Sequence, residues 1–413
     1  MLESKVERLR AQFPALSREV AGRPAVYLDG PAGTQTPRPV IDAIVKYLSC
    51  HNANHGGRFI TARESDAMLD QAHQAAADLL GASDPDCVFF GANMTSLTFA
   101  MSRALSRSWR PGDEVVVTRL DHDANVTPWV LAARDAGATV RYVDLHREDC
   151  TLDLDQFRQL FNERTRLVAV GCASNATGTL NPVRQISSWA REVGALSFLD
   201  AVHYAPHARI DVEAWGCDFL ACSAYKFFGP HVGLMWGRRA LLEEIPAYKV
   251  RPATNQLPGK WMTGTQNHEC IAGVLAAIDY LAEIGREGTA TVLDRRAALS
   301  RAFTAIEVYE RQLVQHLLAG LSQLPDMTIH GITGAERACE RLPTVSITHA
   351  RLKPAELADR LAERGIFAWH GNYYALQLSE TLGFEPHGMV RLGLVHYNTR
   401  EEVDYLLDQL GKI

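Results

Sequence analysis

The sequence predicts an α/β protein: a mostly parallel sheet of seven strands covered by helices, followed by a smaller α+β domain. Three observations predict it. Short apolar runs alternate with longer segments of helical period through most of the chain. Those runs are rich in Val, Phe and Leu and lack polar alternation, the pattern of strands buried on both faces by crossover helices. Beyond Ile271 the pattern changes to long helical stretches and then to short mixed elements.

Residues 87–90, 114–118, 139–143, 166–171, 195–199, 217–222 and 233–236 are the expected strands. Between them the period lengthens at 95–109, 125–135, 154–161 and 183–193, which predicts helices. Strands linked this way imply right-handed crossovers and parallel neighbours. Helical patterns at 271–284 and 292–324 then lead to strands at 327–330, 344–348, 366–369 and 390–395 and helices at 354–364 and 401–410. The expected division is a large domain over 16–285 and a small one built from 1–15 and 286–413. No Pro/Ser-rich linker separates them, so they should pack together rather than hang on a tether.

At 413 residues the chain exceeds what one core usually supports, consistent with two domains. With 47% hydrophobic and 22% charged residues and no low-complexity tract, it has the composition of a globular protein, not a disordered or fibrous one. The net charge of −6 is spread over interspersed signs, which excludes the one-signed basic field expected for nucleic acid or anionic lipid. Residues 1–10 are charged and amphipathic without an apolar core, so no secretory signal is expected. No apolar run approaches the roughly 20 residues of a membrane span. The eight cysteines are scattered singly without metal-ligand spacing, as expected for reduced thiols in a cytoplasmic protein with no metal site.

In a doubly wound sheet ligands bind beyond the carboxyl ends of the strands. Asp200 ends one apolar run, and Ser223-Ala224-Tyr225-Lys226 follows the next. A carboxylate and an amine in such places are costly to bury unless they serve a ligand. Pyridoxal phosphate needs both: a lysine amine for its aldehyde and a carboxylate that keeps its ring nitrogen protonated. Taken alone, each residue favours the plainer reading, a surface lysine and a strand-ending aspartate in an ordinary ion pair. The accompanying segments shift the balance. Gly91-Ala92-Asn93-Met94-Thr95 offers backbone N–H groups and a hydroxyl to a phosphate at a helix start. Asp121-His122-Asp123-Ala124-Asn125 places an imidazole where it can lie on a planar ring, and Gly171-Cys172-Ala173-Ser174-Asn175 offers an amide.

With these segments in this order, the chain resembles the class V aminotransferase group of fold-type I pyridoxal phosphate enzymes, in its cysteine desulfurase/selenocysteine lyase branch. The likeness runs from Tyr27-Leu28-Asp29-Gly30-Pro31-Ala32 through Ser174-Asn175-Ala176-Thr177-Gly178 to Arg391-Leu392-Gly393-Leu394-Val395-His396-Tyr397-Asn398-Thr399. The resemblance implies a catalytic set of Lys226, His122 and Asp200: the Schiff-base lysine, the ring-stacking imidazole and the partner of the ring nitrogen. Asn175 and His203 are expected beside the ring oxygen, His203 where relatives often carry glutamine. Met94, Thr95, Ser223 and Tyr225 are expected at the phosphate, Tyr225 replacing a usual histidine and Met94-Thr95 a usual Thr-Glu pair. Thr265, in Thr263-Gly264-Thr265, matches a threonine that relatives supply from a second subunit, which implies a homodimer with active sites at the interface. Arg391 matches the clamp for the α-carboxylate of an amino acid substrate, a bidentate task suited to guanidinium; a structural ion pair is the alternative. The segment 52–58 resembles a loop at the site's mouth, with His55 and Arg58 as substrate contacts.

One feature departs from the pattern. Desulfurases carry a mobile cysteine that attacks the substrate sulfur, and Tyr374 stands in its place here, with Trp369 replacing an arginine. A phenol cannot form a persulfide. Cys339 is the alternative thiol, in a segment poor in activating groups. The expectation is a lyase-type β-elimination on an amino acid, Tyr373, Tyr374, His370 or His55 serving as acid. The alternatives are transamination, desulfuration or epimerisation on the same fold, or a scaffold without catalysis.

Overall fold

The computed structural model describes residues 2–289 and 291–413; Met1 and Ala290, which fall within the expected small domain, lie outside the described residues. Seven strands build the main sheet: β1 (Val88–Gly91), β2 (Glu114–Thr118), β3 (Thr139–Val143), β4 (Thr165–Gly171), β5 (Leu196–Asp200), β6 (Phe219–Ser223) and β7 (Gly233–Gly237). Their order is β1-β7-β6-β5-β4-β2-β3. The run β6-β5-β4-β2-β3 is parallel, and β7 is antiparallel to both of its neighbours. The fold class expected from the sequence is the one observed.

Strands β2, β5, β6 and β7 are buried along nearly their whole length, as their continuous apolar sequences require. The edge strand β3 differs. Its Thr139 and Arg141 face solvent, so alternation governs there, not burial on two faces. The helix expected over 95–109 is α1 (Met94–Leu105), capped by Asn93, whose side chain accepts the Ser96 N–H, and it passes into a single 3-10 turn at Ser106–Ser108. Two long helices, α2 (His268–Arg286) and α3 (Arg295–Leu321), pack against each other and lead into the second sheet.

That sheet is antiparallel: β8 (Met327–His330), β9 (Thr344–His349), β10 (Trp369–Gly371) and β11 (Met389–Gly393), in the order β8-β9-β11-β10. The one strand expected over 366–369 is in fact two. Ile366–Phe367 pairs in parallel with Val26–Tyr27 near the N-terminus, and Trp369–Gly371 turns away to become the edge of the second sheet. Two ladders compete for one apolar run, which no periodicity announces.

The two sheets are fastened where the site lies. The Ser346 hydroxyl donates to Ala176 O at 2.7 Å, and the Arg341 guanidinium reaches Thr177 O at 3.1 Å. An isolated bridge from Asp29 to Gly393 lays the segment 29–32 beside β11.

Candidate active site

Register places the ends of the central strands side by side: Gly171 of β4 pairs with Asp200 of β5, and Asp200 with Ala221 of β6. The loops leaving these ends bound a cavity of about 570 Å³ that Asp200, His203, Ser223 and Lys226 line. It continues into a hollow of about 730 Å³ that Trp369, Tyr373, Tyr374 and Arg391 of the second sheet's region wall. Thr95, His122, Asn175, Tyr225 and Lys226 border both.

Lys226 sits in a 3-10 turn directly after β6, and its amine donates to Pro31 O. Burial, aided by the nearby Arg391 charge and opposed by Asp200, pushes the amine down to about 7. Asp200 is the last residue of β5; burial pushes its carboxyl up to about 6, against the Val202 N–H bonded to Oδ1 at 2.8 Å and the Lys226 charge. These opposite displacements bring an amine and a carboxyl, ordinarily far apart in acidity, toward neutrality in one cavity.

His122 is held down to about 4 by burial and by the Lys226 and Arg391 charges, so its ring is neutral. Its Nδ1 accepts the Ala124 N–H at 3.0 Å, which leaves the proton on Nε2. Asn175 donates from Nδ2 to Tyr373 O at 2.9 Å, while its Oδ1 is buried without a partner among the described residues. An orphaned acceptor in a cavity wall implies a ligand donor. His203 shares a hydrogen bond of 3.0 Å between Nε2 and the Thr344 hydroxyl, and burial holds its imidazole well below the usual histidine range.

At the far end Ser223 Oγ accepts the Met94 N–H at 2.9 Å, tying β6 to the start of α1. Thr95 is exposed to the cavity at that helix start, and the Tyr225 ring stacks on His231 with centroids 5.0 Å apart and planes 15° apart. Thr265 is exposed and borders a neighbouring hollow with Ser96 and His231.

Arg391, on β11, is buried. Its Nη1 donates to Asn175 O at 2.8 Å, and its guanidinium lies 4.3 Å from the centre of the Tyr373 ring. Among the described residues no carboxylate stands within ion-pair distance of it, although the Asp29 charge acts on it from further off, and burial lowers it to about 10, so it remains a cation. A buried, unpaired guanidinium opening on a cleft is a receptor for an anion. Tyr373 and Tyr374 both have positive φ, 55° and 60°. This left-handed pair costs about 1 kcal/mol per residue or more. It turns Tyr373 inward to Arg391 and Tyr374 outward, where its ring stacks on His122 at 5.4 Å and 26°. The Asp123 N–H bonded to Tyr374 O at 2.7 Å secures the turn.

Three expected residues are not brought to the cleft of this chain: Thr265, which borders only the neighbouring hollow, His55 and Arg58. His55 is exposed and bound to Asp66 Oδ1 at 2.6 Å, and Arg58 is exposed on the same loop; neither lines either hollow, because the loop is tethered to the helix Ile60–Leu80. Two others were not expected. Asp121 is buried, accepts the Gly171 N–H at 2.7 Å, and has its carboxyl pushed well up by burial; a Cβ at Gly171 would lie 2.8 Å from its Oδ1, so a larger residue there would displace that carboxyl. Its adjacency to His122 was the available signal. His231 had none, since it belongs to no motif. All eight thiols are free. Among the described residues no cysteine lines either hollow, and Cys339 is exposed on a separate groove with Asp153 and Leu180.

A lysine and a carboxyl of shifted acidity at the ends of a mostly parallel sheet, with a neutral imidazole and an orphaned amide oxygen facing the same cavity, fit pyridoxal phosphate and define a fold-type I enzyme of that cofactor. The chain belongs to the class V aminotransferase family, whose sequence profile matches residues 26–406. It is 31% identical to a cysteine desulfurase of Pectobacterium atrosepticum, over 99% of this chain and 98% of that one. The apo structure of a cysteine desulfurase from Thermococcus onnurineus superposes with a TM-score of 0.86 at 25% identity, covering 98% and 97% of the two chains. The cysteine desulfurase CsdA of Escherichia coli gives 0.84 at 26%, covering 98% of each.

Proposed function

We propose that the protein is a pyridoxal phosphate-dependent lyase that eliminates a β-substituent, sulfur or a related leaving group, from an amino acid without a persulfide cysteine. The observation that carries this reading is the tyrosine at 374 in a cleft with no cysteine in its wall. When bound, the cofactor supplies an electron sink that acidifies the substrate α-hydrogen. The Lys226 amine, lowered to about 7, is available as a neutral base for that hydrogen. Asp200 would hold the ring nitrogen, His122 would cover a ring face, and Asn175 and His203 would meet the ring oxygen. Met94, Thr95, Ser223 and Tyr225 would serve the phosphate, with Thr265 reaching it from a second subunit. Arg391, braced by Tyr373 and the Asn175 carbonyl, takes the α-carboxylate. The Tyr374 hydroxyl, at the mouth, gives its proton to the departing group. His55 and Arg58 contribute at most to the mouth.

The same reading makes the protein a cytoplasmic homodimer, supported by its free thiols and by the exposed Val45, Leu48, Phe59, Ile60, Tyr248 and Val250. It divides the chain at 16–285 from 1–15 with 286–413; the Arg10 guanidinium, bonded to Tyr397 O and Glu402, supports joining the N-terminal residues to the small domain. A screen of β-substituted amino acids with the purified holoenzyme tests the function. Pyruvate and ammonia formed without added keto acid mark the lyase; dependence on a keto acid marks an aminotransferase. The names of the relatives favour a second reading, desulfuration of cysteine. Alanine from cysteine, with its sulfur released as sulfide by an added thiol reductant, both lost in Cys339→Ala, would establish that reading and overturn the first.

A further inference from the structure

The phosphate end of the cavity is short of positive charge. Of the basic side chains that line the cavity, Lys226 and His203 are grouped with Asp200, and His122 lies on Tyr374. Beside the start of α1, where Ser223 Oγ holds the Met94 N–H, the basic lining residue is His231. A doubly charged phosphate there meets helix N–H groups and hydroxyls, which position it but do not neutralise it.

The placement of His231 is built in. It lies two residues before β7, and β7 pairs through Gly233 with Gly91, the last residue of β1 before the α1 loop. The approach is so close that a Cβ at Gly233 would lie 2.4 Å from the Asn93 carbonyl carbon. Glycine at 233 thus lets the strand carrying His231 press against the loop that starts α1. The ring is then oriented by its stack on Tyr225, at 5.0 Å and 15°, while its exposed edge borders both the cofactor cavity and the hollow shared with Ser96 and Thr265.

We propose that His231 is the imidazole that holds the cofactor's phosphate, and that Tyr225 acts as the platform that orients it. The resemblance puts a histidine at 225; here the tyrosine and the histidine form a stacked unit that supplies the imidazole from six residues further along the chain. The inference rests on the proposed pyridoxal phosphate reading and deepens it by assigning the phosphate site.

The test is equilibrium titration of the apoprotein with pyridoxal phosphate and, separately, with unphosphorylated pyridoxal, followed by absorbance and tryptophan fluorescence. His231→Ala should weaken pyridoxal phosphate about tenfold or more, the loss expected for one charge-assisted hydrogen bond, and leave pyridoxal within about twofold. Tyr225→Ala removes the platform and should weaken pyridoxal phosphate in the same selective way, by less than His231→Ala does. Tyr225→His combined with His231→Ala should recover most of the lost affinity by returning an imidazole to the same end. Equal weakening toward both ligands in His231→Ala, or unchanged binding of pyridoxal phosphate in that variant, would overturn the assignment. Failure of the wild type to take up pyridoxal phosphate would instead overturn the cofactor reading beneath it. Circular dichroism and thermal melts of the variants separate a folding defect from a binding one.

Discussion

Replacing Lys226 with methionine in the apoprotein keeps the packed stem and removes a charge that burial penalises. The amine falls from 10.5 to about 7. At about 1.4 kcal/mol for each pH unit that displacement corresponds to roughly 5 kcal/mol of disfavour for the charged form, an upper limit because the amine borders an open cleft. Below pH 7 the amine is protonated folded and unfolded alike, so the wild type carries the full penalty and Lys226→Met should be the more stable protein. Between pH 7 and 10.5 the unfolded chain holds a proton that the folded one has lost, so wild-type stability rises with pH while the variant gains nothing at this position. From pH 7 to 9 the advantage of the variant should shrink by about 2 kcal/mol. Urea denaturation of both apoproteins at several pH values, read as the difference in unfolding free energy extrapolated to water, measures it. The carboxyl of Asp200, near 6, has largely finished titrating below this window. Parallel curves for the two proteins would refute the burial argument, and with it the account of how the amine is kept unprotonated.

Three further outcomes follow from the same geometry. Arg391→Lys keeps the charge but loses the flat contact with Tyr373 and the fork, so KM for the amino acid should rise about tenfold to a hundredfold while the visible band of the bound cofactor stays unchanged. Tyr374→Phe should slow substrates with poor leaving groups by roughly 10²-fold and spare those whose group leaves without a proton, measured as pyruvate formation. Glu310, bound to His207 at 2.8 Å with both side chains about 2% exposed, is a buried pair behind His203. Glu310→Ala should cost about 3 kcal/mol in urea denaturation because it strands His207, and Glu310→Gln should cost less because its carbonyl still accepts from that ring.

The sheet was legible because its strands bury both faces, and a run such as Glu114-Val115-Val116-Val117-Thr118 announces that burial locally. So did the positions of Asp200 and Lys226, because a charged residue closing an apolar strand stands out against its neighbours. The left-handed turn at Tyr373 and Tyr374 was not legible: no glycine marks it, and the contacts of Arg391, Asn175 and Asp123 impose it from distant segments. The split of the 366–369 run between two ladders was hidden for the same reason, since strand pairing depends on which edge is free.

What the chain alone determined, then, is the order of elements and the chemical type of each group at the strand ends, since both are properties of nearest neighbours in sequence. Only the tertiary structure decided which groups share a cavity and in what state. The neutral rings of His122 and His203, the lowered amine of Lys226 and the unpaired guanidinium of Arg391 all result from burial by segments hundreds of residues apart. Loss of water shifts a group's acidity, and no local pattern records which distant residues will exclude that water.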